Sequence, residues 1–354
     1  MSNWIFSRRR DLTYLFFPVW LVWLVTLLLP EEWISMETPI WIWVVFVLGI
    51  DVSHVWSTLF RTYADKEEFT NHRKLLVYSP MVAFCGALIL ASISIALFWR
   101  VLAYVAVFHF VKQQYGFMRI YKAKARDFSK RRITDNFVIY LSMLYPIFFW
   151  HVNLDRQFSW FFMGDFLQWD LTQVIPMINT IGNALYFLVI GLWLIQEIRL
   201  GRNDKLPTGK ILWVLTTAGN WFIGIVYFNS DLVFTITNVV AHGIPYMALV
   251  VFYQQKKFQL KARQVRSIQY TLLVIGGVLL LALGEEYFWD LWVNQENQAF
   301  FGSFLPYLTS APARGWQVLA TALLSVPQVT HYIVDGFIWK NNEKNPYLKA
   351  AILG

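Results

Sequence analysis

Apolar runs of about 20 residues, the length a helix needs to cross the hydrocarbon core of a bilayer, alternate along this chain with short polar or basic stretches. The pattern predicts ten spans, over residues 12–30, 40–60, 75–95, 97–121, 133–151, 175–198, 211–228, 232–253, 268–283 and 316–339. No internal repeat, low-complexity tract or linker interrupts the series. The expected fold is therefore all-α: one polytopic transmembrane helix bundle spanning residues 1–354 as a single domain.

Polar positions give the series a direction. Basic residues gather at 8–10, 122–132, 199–210 and 256–266, and Lys340, Lys344 and Lys349 follow the last run. With ten spans every one of these clusters falls on the same side, as expected of cytoplasmic loops. Both termini are then expected in the cytoplasm and the chain in a bacterial inner membrane. The stretch 154–171, with Trp160, Phe161, Phe162 and Trp169, suits a segment lying at headgroup level on the outer side. Glu285 and Glu286 are expected to be solvated there too.

Composition narrows the class further. Of 354 residues, 57% are hydrophobic, 18% aromatic and only 15% charged. A soluble domain would be about a quarter charged and under half apolar, so the apolar excess calls for a lipid bilayer as partner. The net charge of +8 is confined to the loops, which argues against nucleic acid. Cys85 is the single cysteine, which excludes a disulfide framework and a thiolate metal site. The first apolar run is as long as a full span and lacks a small-residue cleavage pattern, so it is expected to stay as a helix.

Ionisable groups within spans are costly and generally face a partner, a metal or a water-filled path. Of six histidines, His72 and His151 fall outside or at the end of spans. His54, His109, His242 and His331 sit one each on spans two, four, eight and ten, all running inward. At 1.5 Å per residue they lie roughly 10 to 17 Å from the cytoplasmic ends, in one layer. Each has a polar companion at helical spacing: Asp51 before His54, Gln113 after His109, Asn238 before His242, and Gln328 and Asp335 around His331. A lone buried histidine would be a packing contact between helices. Four at one depth, with companions able to fix their tautomers, point to a metal held by His54, His109, His242 and His331. Lys112 and Tyr246 are further candidates for the pocket; for Lys112 a snorkelling lysine weighs equally. Imidazoles suit iron, zinc and copper alike. For oxygen chemistry on an apolar substrate Fe2+ is the expected ion, with zinc and copper left open. The H-x-x-x-H boxes of membrane desaturases are missing, which favours a mononuclear centre.

Around these histidines the sequence resembles the Brp/Blh family of bacterial and archaeal membrane proteins, which includes beta-carotene 15,15'-dioxygenases. Gly49-Ile50-Asp51-Val52-Ser53-His54 is similar to its Gly-rich histidine turn, and Val107-Phe108-His109-Phe110 to its I-H-F-G-type motif. Ala241-His242-Gly243 resembles part of its third motif. Val326-Pro327-Gln328-Val329-Thr330-His331, followed by Asp335 to Lys340, is similar to its V-P-H and D-F-I-F-R segments. Tyr246 stands where the third motif has its second histidine, and Gln328 where a histidine follows Val-Pro. The resemblance implies a helical membrane fold, an iron centre and oxidative cleavage of a carotenoid-like double bond to aldehydes.

The expected function is thus a membrane-embedded non-haem iron oxygenase that uses O2 on a lipid-soluble, isoprenoid or carotenoid-like substrate. The rival is a metal- or proton-coupled transporter using the same histidines and carboxylates. Broken helices would favour the transporter, and Gly243 with Pro245 could break span eight. A membrane protein with a merely stabilising metal is a third class.

Overall fold

A computed structural model describes residues 3–36, 38–128, 130–153, 155–171, 173–201, 206–262, 266–306 and 313–353. Residues 129, 202–205 and 263–265 of the basic stretches, position 154 of the aromatic stretch and residues 307–312 before the last run lie outside these. The described residues form helices joined by short turns, with no strand among them.

Among the described residues, eight helices are long and apolar enough to cross a membrane, the make-up of an integral membrane protein. They are α1 (Arg8–Leu28), α2 (Ile40–Arg61), α4 (Arg73–Ile93), α5 (Ile95–Ala125), α7 (Ile175–Gly201), α8 (Thr208–Tyr227), α9 (Asp231–Leu260) and α10 (Ser267–Asn294). The short α3 (Lys66–Asn71) links α2 to α4, and α6 (Asp135–Val152) covers the fifth expected span. The tenth expected span is not one helix. It is divided at Ser325 into α11 (Arg314–Leu324) and α12 (Val326–Ile338), with Pro327 in the first turn of α12. Proline fits there because the first helical N–H groups have no intrahelical acceptor. Span eight, by contrast, is unbroken: α9 runs through Gly243 and Pro245.

The chain packs as two compact units. The first comprises Met1–Thr38, Val107–Pro245 and Ile352–Gly354. In it α1 is tied to α8 by two indoles, Trp20 donating to Thr216 at 3.0 Å and Trp23 to Asn220 at 3.0 Å. Tyr186 of α7 donates to the Ser142 carbonyl of α6 at 3.1 Å and to the Ala218 carbonyl of α8 at 2.9 Å. One hydroxyl thereby joins three helices.

The second unit comprises Pro39–Ala106 and Tyr246–Ala351. Here α4 packs on α11 and α12, and Leu76, Val334 and Ile338 form a small core. Arg61, at the end of α2, donates to the Ile338 carbonyl at 2.9 Å and to Asn345 at 3.2 Å. Glu285 is half-buried and paired rather than simply solvated. The α10 helix continues past residue 283, and Trp56 of α2 donates its indole N–H to Glu285 at 2.6 Å.

Candidate metal centre

In the second unit, α2 winds with π-helical turns over Trp43–Val52 and returns to α-helix at Ser53. The wider turn, with i→i+5 bonding, ends where Asp51 and His54 project. His54 is buried, and its Nδ1 lies 3.5 Å from an Asp51 oxygen. His331 of α12 meets it edge to face, with ring centroids 5.0 Å apart. Tyr246 stands edge-on to both rings, at 6.0 Å from His54 and 5.0 Å from His331.

The surroundings of His331 differ from the expected ones. Asp335 accepts from Tyr246 and, at 3.2 Å, from the Trp339 indole. The group at His331 Nδ1 is Thr58, whose hydroxyl lies 2.7 Å from the ring nitrogen and 2.9 Å from the Tyr246 hydroxyl. Thr58 is one turn after His54 on α2 and is buried. No sequence signal singled it out, because an uncharged threonine in an apolar helix looks like packing. Gln328, expected on the His331 face, donates instead to the Tyr332 hydroxyl at 2.9 Å.

In the first unit, His109 of α5 and His242 of α9 are buried with ring centroids 5.1 Å apart. Phe110 stacks flat on His242 at 3.5 Å, and Trp160 meets Phe110 edge-on at 4.9 Å. Pro245 shapes the backbone at this point. Lacking an N–H, it leaves the carbonyl of Ala241, four residues earlier, without its helical donor. Gln114 of α5 supplies one at 3.2 Å, and Gln113 donates to the His242 carbonyl at 2.9 Å. Gln113 thus serves the backbone of His242 rather than the ring of His109. Asn238 is half-buried one turn before His242 on the same helix. Lys112 is exposed, with its ammonium 5.0 Å from the Tyr115 ring centre, and does not join the histidines.

All four predicted histidines are buried, His54 paired with His331 in the second unit and His109 with His242 in the first. The remaining two histidines are elsewhere. His151 is buried in α6 with Nδ1 at 2.7 Å from the Ile147 carbonyl, and His72 is buried beside Glu68 rather than free in a polar loop.

No family model, no curated protein and no solved structure matches the chain.

Proposed function

We propose that the chain is an integral-membrane, non-haem iron oxygenase with His54, His109, His242 and His331 as metal ligands. The observation that carries this reading is that each unit holds a pair of buried histidines, His54 with His331 and His109 with His242, with ring centroids 5.0 and 5.1 Å apart. Paired imidazoles inside apolar helices are donors of the kind a bound metal uses. The donor set, nitrogen only and without thiolate, fits a first-row divalent ion such as iron. When bound, iron would supply the oxygen chemistry that no side chain can perform alone.

The chain's own residues do the holding and the excluding. Asp51 lies 3.5 Å from His54 Nδ1, placing a negative charge beside that ring, and Phe110, stacked at 3.5 Å, fixes the plane of His242. Phe110 and Trp160 supply an apolar wall suited to a hydrocarbon substrate. Helices apolar enough to cross a membrane make a lipid-soluble molecule reaching the site from the bilayer the natural substrate, of isoprenoid or carotenoid type. The resemblance to the Brp/Blh family supports cleavage of a double bond, and the placing of the basic clusters supports ten crossings with both termini cytoplasmic.

Metal analysis of purified wild-type protein and of the four single His→Ala variants tests the centre. Iron near one equivalent is expected in the wild type and loss of most of it in each variant. Full retention in one variant removes that residue from the ligand set, and a wild type that holds no metal sinks the reading. Oxygen uptake by iron-loaded protein with carotenoid in detergent is expected. Metal flux in liposomes without oxygen uptake would replace the oxygenase by a transporter.

A further inference from the structure

Thr58, Tyr246 and Asp335 form a line of hydrogen bonds leading away from His331, and the polarity of that line is fixed by chemistry. Asp335 Oδ1 receives the Trp339 indole at 3.2 Å, a group that can only donate, and it receives the Tyr246 hydroxyl as well. As the carboxylate, Asp335 has no proton to offer. Tyr246 therefore gives its single proton to Asp335 and can only accept from Thr58, 2.9 Å away. Thr58 gives its single proton to Tyr246 and can only accept from His331 Nδ1, 2.7 Å away. His331 must then carry its proton on Nδ1.

We infer that Thr58 is a positioning residue which, backed by Tyr246 and Asp335, sets the tautomer of His331 so that Nδ1 carries the proton and Nε2 the lone pair a metal would use. This rests on the metal-centre reading for its purpose, but the tautomer is a property of the metal-free protein. A hydroxyl relay replaces the direct carboxylate or carbonyl contact by which metal-binding histidines are usually oriented. Its components are well placed to hold: Thr58 and Tyr246 are buried, and the Thr58 turn is tightened by Thr62, whose hydroxyl donates to the Thr58 carbonyl at 2.6 Å. The substitution of tyrosine for the histidine expected four residues after His242 acquires a role as well. Tyr246 is the middle of the relay.

Two measurements test it together. The first is the 15N chemical shift of the His331 ring in metal-free protein, assigned by comparison with His331→Ala. The second is the affinity for Fe2+ under anaerobic conditions and for Zn2+ as a redox-inert probe. In the wild type a protonated Nδ1 and a bare Nε2 are expected. Thr58→Val should abolish the Nδ1–H preference and weaken metal binding about 10- to 100-fold. Thr58→Ser should keep both near wild type, and this conservative variant separates loss of the hydroxyl from loss of the fold. Tyr246→Phe leaves Thr58 free to donate to Nδ1 and should reverse the tautomer. A wild-type ring protonated on Nε2, or a Thr58→Val protein with unchanged tautomer and affinity, overturns the inference. A wild type with the expected tautomer that binds neither ion supports the relay while ending the metal-centre reading.

Discussion

A proline inside a helix deprives the carbonyl four residues earlier of its donor, and in an apolar setting that carbonyl has no water to turn to. At Pro245 the Gln114 side chain answers this, donating to Ala241 while its own oxygen accepts from Thr217 at 3.0 Å. Gln114→Leu should lower stability by about 1–3 kcal/mol, the cost of buried groups left unpaired. In a Pro245→Ala background, where residue 245 regains an N–H for Ala241, the same change should cost clearly less. Denaturation midpoints of the four proteins in detergent give the coupling, and equal costs in both backgrounds would rule out this role for Gln114. The same comparison explains what was legible at this scale. The four histidines stood out because each is expensive in an apolar run, and Asp51 stood out for the same reason. Gln113 was legible as a buried polar residue but not in its role. Its spacing pointed to His109, whereas a carbonyl beside Pro245, on another helix, is the partner it takes. Thr58 was not legible, since its importance comes from two residues nearly 200 and more than 250 positions away.

At the scale of elements, hydropathy located nearly every helix because lipid-length apolar runs admit few other conformations. Eight of the ten expected spans coincide with helices of sufficient length and apolarity. What hydropathy could not locate are departures inside apolar sequence. The break at Ser325 lies between Leu324 and Val326, where apolarity is continuous, and Pro327 alone hinted at it. The π-helical turns before His54 leave no compositional trace at all, because the same residues suit an α-helix. The wider turn sits beside a candidate ligand, where such turns are often found. The extension of α10 past residue 283 was hidden by Glu285 and Glu286. Acidic residues normally mark the end of a span, but Glu285 has the Trp56 indole to pair with.

Across the whole molecule, the basic stretches read as loops are in part neutralised by acids that hydropathy ignores. In the first unit Lys122, Arg131 and Lys210 face Asp127, Asp135 and Glu197, with Lys210 between 2.6 and 3.0 Å from all three carboxylates. In the second unit Arg61, Lys257 and Lys261 face Asp65, Glu67 and Glu68, with Lys257 at 2.7 Å from Asp65 and 2.8 Å from Glu68. Burial alone would raise the Asp65 carboxyl, but the hydrogen bond and charge of Lys257 outweigh it and hold the group below its ordinary 3.8. Burial likewise works against Glu67, and Lys261 and Lys257 together hold it below 4.5. Groups with depressed folded values stabilise the protein fully above their ordinary values and lose that contribution as pH falls through the folded ones. Lys257→Met should therefore cost about 3 kcal/mol near neutral pH, since it strips a buried cation from Asp65 and Glu68. Without that cation the carboxyls gain from protonation, so the gap between variant and wild type should narrow as pH drops below about 4. Melting temperatures of both proteins measured from pH 7 to pH 3.5 test this directly. A gap that stays constant over that range would mean that Lys257 acts through packing rather than charge.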